Sequence, residues 1–247
     1  MQMKRFIVAL LTMTCAIMSS YAQMTFGNSG LVNIPTADMK DEGTFLGGAT
    51  FLPKHYMSST SFGYVTGIYY FGITPFDWVE LTLRQTLLKA HKLSDEGVGG
   101  IGYYQQDRSY SVRLRPLKEK YGKWWPNVVI GTNDPWSDNG GSYYSCVYGV
   151  VTKHVKFDKA GDLGLTAGYF HKLHDRFGEN KAFDGVFGGV SFTPRFWDKM
   201  TIAADYDTHG VNLGVNVCLF NHWNILGYGR DLSKFGFGMS YQYTIDW

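Results

Sequence analysis

Beyond residue 18 this sequence has no long apolar run. No later window approaches the 18 or more consecutive apolar residues that a membrane helix needs, so helical spanning is excluded. Charge of one sign is also missing. Formal net charge is +2, and removing Lys4 and Arg5 from the 23 basic residues leaves 21 against 21 acids. With neither a basic excess nor a Lys/Arg stripe, nucleic acid is not an expected partner. Cysteine is scarce. Of the 3, only Cys146 and Cys218 lie beyond the N-terminal stretch, each inside a candidate strand where a small buried side chain is the expected role. Catalytic and metal signatures are absent too. No histidine (55, 91, 154, 171, 174, 209 or 222) has a serine two positions on, the spacing that sets base beside nucleophile on a strand in outer-membrane lipid hydrolases. His171 and His174 are three apart, which on a strand puts them on opposite faces with no further ligand in reach, so no metal is expected. No cofactor motif and no catalytic residue can be named.

What is present is alternation. From Phe235 to Trp247 the odd positions are Phe235, Phe237, Met239, Tyr241, Tyr243, Ile245 and Trp247, and the even ones Gly236, Gly238, Ser240, Gln242, Thr244 and Asp246. Strand side chains alternate faces, so this is one strand with an oily and a polar face. It is also long enough for a tilted membrane-spanning strand of roughly 9–11 residues with its interface ends. The same pattern recurs. Val79, Leu81 and Leu83 oppose Trp78, Glu80, Thr82 and Arg84, while Tyr110, Val112 and Leu114 oppose Ser111, Arg113 and Arg115. Ile202, Ala204 and Tyr206 oppose Thr201, Ala203, Asp205 and Asp207, and Val211 to Leu219 alternates with Asn212, Gly214 and Asn216.

Twelve strand candidates result, at 43–53, 62–73, 77–87, 107–117, 127–134, 142–152, 161–171, 184–194, 199–207, 210–220, 223–231 and 234–247. Turn chemistry separates them at Thr74-Pro75-Phe76-Asp77, Asn133-Asp134-Pro135, Asn139-Gly140-Gly141 and Asp207-Thr208-His209-Gly210. The fold class is all-β, an antiparallel transmembrane β-barrel with both ends on one side. The connections 88–106 and 172–183 are expected as long outward loops, and 118–126 is a long connection on the inward side. A mean hydropathy of −0.17 does not oppose this, because lumen-facing residues cancel lipid-facing ones. A soluble sandwich or lipocalin-like barrel would turn the oily face inward and put Lys and Glu outside; here the polar faces carry Gly, Ser, Thr and Asn. The seven tryptophans, at positions 78, 124, 125, 136, 197, 223 and 247, fall at strand ends, as expected for two aromatic girdles.

Residues 1–22 read as a signal peptide, with basic Lys4 and Arg5, an apolar stretch Phe6–Met18 and small residues before Gln23. Thr14 before Cys15 fits a lipid-attachment site poorly, so cleavage after Ala22 is preferred. Residues 23–42 form a leader, too polar for the wall, that lies beneath the barrel of residues 43–247 or folds into it. Thr36 can cap one helical turn over Ala37 to Glu42, stopped by Gly43. Inward charges are Glu80, Arg84, Arg113, Arg115, Asp205, Asp207 and Arg230, which either line a selective aqueous path or neutralise one another as a ladder across a plugged interior.

The stretch GLVNIPTADM, with Gly30, Leu31, Pro35, Thr36 and Ala37, resembles the opening of the YjbH-type family of Gram-negative outer-membrane proteins. Further similar pieces follow in order at Thr44–Pro53, SVRLRPLKE (Ser111–Glu119), FDGVFGGV (Phe183–Val190) and AADYDTHGVN (Ala203–Asn212). The closing strand, with Tyr241, Tyr243, Ile245 and Trp247, resembles the signal by which the barrel-assembly machinery recognises its substrates. Many family members are much longer, with more than one barrel-like region. The resemblance implies an outer-membrane barrel in contact with lipid, working in exopolysaccharide production or export beside export components, and no enzyme. A small passive porin and a lipid-modifying barrel enzyme are the alternative readings.

Overall fold

The computed structural model describes residues 22–56, 63–94, 97–120, 123–136, 143–173 and 183–245. Twelve strands run in chain order: β1 (Thr44–Leu52), β2 (Thr66–Phe76), β3 (Val79–Ser94), β4 (Gly97–Leu117), β5 (Asn127–Asn133), β6 (Cys146–Phe157), β7 (Gly161–Lys172), β8 (Gly185–Pro194), β9 (Met200–Tyr206), β10 (Val211–Leu219), β11 (Trp223–Arg230) and β12 (Lys234–Thr244). Each pairs antiparallel with its sequence neighbours, and β1 closes on β12 from Thr44↔Thr244 to Phe51↔Phe237. Closure leaves no wall strand with a free edge along its shared length, and the even strand number brings both chain ends to one rim.

The alternation sets the side-chain directions. Leu83, Ile130, Val186 and Phe237 are each about 60% exposed or more, while Thr82, Thr86, Ser111, Asn212, Asn216 and Ser240 are buried on the opposite face. The barrel is thus inside-out relative to a soluble one, with an oily exterior and a hydroxyl- and amide-lined interior. Cys146 on β6 and Cys218 on β10 are buried and carry no disulfide.

Four expectations are corrected. First, 88–106 is not a loop: β3 and β4 continue as a ribbon whose register reaches Ser94↔Gly97 through two irregularities. Above Leu87↔Gly67 and Ser111↔Asn133 this ribbon leaves the wall ladder, while Tyr110 still exchanges bonds with Asp134 and Asp107 accepts from Tyr143 N at 3.0 Å. On it Gln85 donates to Gln106 at 2.7 Å, and Lys89 lies 5.0 Å over the Tyr103 ring. Second, Thr74-Pro75-Phe76 is the end of β2 and not a turn. Pro75 falls in the irregularity between Ile73 and Phe76, where its missing N–H breaks no ladder bond. Third, Ala37 to Glu42 is not helical. Thr36 Oγ1 does accept from Asp38 N at 3.3 Å, as a cap would, but the carbonyls of Thr36 and Asp38 accept from Arg113 and so are taken from any helical turn. Fourth, the tryptophans do not make two girdles. Trp78, Trp124, Trp125, Trp197 and Trp223 gather at the rim that holds the chain ends, and Trp136 alone stands at the other, stacked on Tyr110 at 6.3 Å. That other rim is finished by Tyr169, Tyr206 and Phe235. Trp247 lies outside the described residues, as does His174.

Gly43, where the leader becomes β1, has φ +79°, and a Cβ there would stand 2.3 Å from the Ile245 carbonyl oxygen. Gly43→Ala should therefore destabilise the barrel by about 1–3 kcal/mol. The check is the temperature at which the detergent-folded band converts to the unfolded one on a gel, expected several degrees lower than for the unmodified protein.

Candidate functional site

The interior of the barrel is filled by the chain's own residues 22–42. The leader lies inside the wall, and it is less polar than its composition implies. Met24, Phe26, Leu31, Val32, Ile34, Ala37 and Met39 are all buried. Within it, Met24 N donates to Asn28 O at 3.0 Å, Thr25 N to Val32 O at 2.8 Å and Leu31 N to Ile34 O at 3.0 Å. Glycines make room for it on the wall. A Cβ at Gly189 would meet Leu31 at 2.6 Å, and one at Gly214 would meet Val32 at 2.7 Å.

The luminal charges hold this plug. Glu80 on β3 and Arg113 on β4 are register partners and pair at 2.7 Å, both buried. Glu80 accepts from Ser29 N at 3.0 Å and Ser29 Oγ at 2.6 Å, while Arg113 donates to the carbonyls of Thr36 and Asp38. One ion pair thereby grips both limbs of the plug. A second latch lies across the lumen, where Asp205 Oδ2 accepts from Val32 N at 2.7 Å and Asn33 N at 2.9 Å. Asp207 accepts from Asn33 Nδ2 at 2.8 Å and pairs with Arg230 at 3.1 Å, and Arg230 also donates to Tyr56 O at 2.8 Å. Lys40 reaches Gln242 on β12 at 3.1 Å, Ala37 N donates to Thr152 Oγ1 at 2.8 Å, and Asn28 Nδ2 donates to Ser111 Oγ at 3.1 Å.

Of the seven inward charges expected from the sequence, Glu80, Arg113, Asp205 and Asp207 bond the plug directly, and Arg230 acts through Asp207 and Tyr56. Arg115 stays at the rim on Asp77, and Arg84 donates to Asn133 Oδ1 at 2.6 Å and bonds no plug residue. The charges therefore form neither an open path nor a continuous ladder; they are mainly a clamp. Asn33 and Tyr56 are central to the clamp and were not legible as site residues. The one signal was a lone amide among apolar neighbours at Asn33. The motif residues now have physical roles. Gly30 sits where a Cβ would meet Ile34 O at 2.4 Å, Pro35 bridges back to Gly30, and Leu31 seats on Gly189. Thr36 and Ala37 supply the backbone groups taken by Arg113 and Thr152. Tyr241, Tyr243 and Ile245 face outward, with His222 stacked 5.4 Å from Tyr241 and 6.0 Å from Tyr243.

At the rim holding the chain ends, Glu119 ties the 118–126 connection to β6. It bonds Lys153 Nζ and lies 3.0 Å from His154 Nδ1, while His154 Nε2 is 3.6 Å from Asp38 Oδ2 of the plug. Burial alone would raise the Glu119 pKa, but the bonds from Lys153 and His154 outweigh it and hold the carboxyl below its ordinary 4.5.

Comparison with known proteins places this geometry. A family profile described as "Exopolysaccharide biosynthesis protein YbjH" matches residues 22–247, the plug and barrel together. A relative from Escherichia coli (strain K12), described as an uncharacterized lipoprotein YjbH, is 26% identical over 255 residues, covering 92% of this chain and 32% of the relative. The chain thus spans about a third of the length of that protein.

Two outcomes test the clamp. Asp205→Ala removes the acceptor of two buried plug N–H groups, a loss of about 2–4 kcal/mol. Amide exchange at Val32 and Asn33 should quicken by roughly 30-fold or more, while β10 and β11 keep their protection. The Glu119 tie is fully present above pH 4.5 and is lost as pH falls through the lowered folded-state value. Lys153 also donates to the Lys123 carbonyl at 2.8 Å, so emission from Trp124 and Trp125 on the same connection should change across that acidic interval, and Glu119→Gln should flatten the change.

Proposed function

The chain belongs to the YjbH exopolysaccharide biosynthesis family, and from that membership together with its oily exterior and filled lumen we propose that it is a non-enzymatic outer-membrane barrel supporting exopolysaccharide production or export. The observation that carries the reading is the direction of the apolar residues, outward on every strand that alternates cleanly. Water would penalise that surface heavily. Burying apolar area is worth about 25 cal/mol per Å², so lipid is the environment that this exterior fits. Export behind a signal peptide cleaved after Ala22, insertion by the barrel-assembly machinery and cooperation with polysaccharide export components belong to the same reading.

The filled lumen shapes the role. A passive porin needs a standing aqueous path, whereas here residues 22–42 occupy the interior and are bonded to β3, β4, β6, β9 and β12. Any transport through this barrel requires the clamp to release. A lipid-modifying enzyme is disfavoured by the histidine spacing.

The test has two arms. The protein should fractionate with outer membranes and migrate on gels in a heat-dependent way, and deleting its gene should lower extracellular polysaccharide while leaving lipid profiles unchanged. In planar bilayers the full chain should give no steady conductance, and a variant lacking residues 23–42 should give one. A detergent-free soluble monomer, or undiminished polysaccharide in the deletion strain, overturns the proposal.

A further inference from the structure

His154 joins three parts of the molecule at the rim that holds the chain ends. It stands on β6 past Asn127↔Thr152, where β5 ends, so its side chain lies beyond the closed wall among the charges Lys153, Lys156, Asp158 and Lys159. Its register partner on β7 is Gly164, where a Cβ would come 3.4 Å from Nε2, so the missing side chain leaves the ring its place. On the ring, Nδ1 is 3.0 Å from Glu119 Oε2 of the 118–126 connection, and Nε2 is 3.6 Å from Asp38 Oδ2 of the plug. Glu119 is fixed by Lys153 Nζ and by the His154 backbone N–H, and Asp38 Oδ1 accepts from Asn127 Nδ2 at 2.9 Å. Both carboxylates are thereby aimed at the imidazole.

A neutral imidazole carries one N–H, so it can donate to one of these acids and must turn a lone pair on the other. Imidazolium has a proton for each. Asp162 on β7 adds negative charge beside the ring, while Arg113 and Arg115 on β4 act on Asp38. Burial by itself would lower the His154 pKa, but Asp38, the Glu119 bond and Asp162 outweigh it and hold the group above its ordinary 6.5. The side chain keeps 27% of its surface exposed, so solvent takes and returns the proton directly.

We propose that His154 is a proton-operated latch on the plug: as imidazolium it ties Asp38 to Glu119, and as neutral imidazole it releases residues 36–42 from the rim. Its contribution is fully present below pH 6.5 and is lost as pH rises through the raised folded-state value. On the acid side the protonation of Glu119 bounds it, so the latch is shut in the window between the two titrations. The limb that it holds leads out of the lumen into β1, and Arg113 and Thr152 keep their own bonds to that limb. Release is therefore local, a loosening at one mouth of the barrel and not an unseating. This rests on the filled lumen and is independent of any role in polysaccharide export.

The full chain in detergent is compared at about pH 6 and about pH 8.5 by amide exchange, with rates corrected for the intrinsic effect of pH. Protection of residues 36–42 should fall roughly fivefold at the higher pH, while β10 and β11 keep theirs. His154→Gln should give the same protection of that limb at both. If that variant does not fold, Asp38→Asn replaces it, with the same loss of pH dependence. The His154 ring resonance supplies a second readout: it should titrate above 6.5 in the unmodified protein and lower in Asp38→Asn. Protection of 36–42 that ignores pH, a pH effect that survives in either variant, or a His154 titration at or below 6.5 overturns the latch.

Discussion

The guanidinium of Arg113 has no exposed surface, and its Glu80 partner is nearly as deeply buried. A pair so placed recovers its desolvation only when the remaining donors and acceptors are also met. Here most of them are met by the plug, Arg113 Nε staying without a partner. Ser29 gives both its N–H and its hydroxyl to Glu80, and the carbonyls of Thr36 and Asp38 take the other side of Arg113. The wall therefore does not merely enclose residues 22–42. Its Glu80–Arg113 pair is satisfied through them, and without the plug that pair would have to take water in place of half its partners.

The same reasoning explains the composition of the inner face. A twelve-strand barrel has a lumen too narrow for a wide channel yet too wide for short wall side chains to fill unaided. Threonine, asparagine and serine line it, glycines at 189 and 214 recede, and the plug's apolar residues occupy what remains. The outer face obeys a separate rule, set by its surroundings and not by packing. That is why the two halves of each dipeptide repeat differ so sharply in chemistry.

Much of the wall was legible because period-two alternation is local. All twelve strands lie near the places where the alternation put them, and Phe235 to Ile245 presents the faces that its parity dictates. The ribbon above β3 and β4 was not legible: glycine-rich 97–102 lacks the alternation that marks a wall strand, and what pairs it is the opposite arm alone. The interior was legible only as a set of charges. Parity says that Glu80 and Asp205 point inward, but it cannot say what they meet there. The partners, Ser29 and Val32, are 51 and 173 residues away in sequence, and no spacing rule spans such separations. The leader misled for a related reason. Its polar residues looked like solvent-exposed ones, whereas Asn28, Ser29 and Asn33 are polar because the wall that they touch is polar.

The plug is stitched to the last strand as well as to the middle of the wall. Ser240 on β12 bonds Gln23, and Gln242 on the same strand takes Lys40. Since β12 is also the strand that seals against β1, the seam is braced from behind by the plug. Filling the lumen and bracing the closure thus draw on one set of contacts, which ties opposite ends of the polypeptide together.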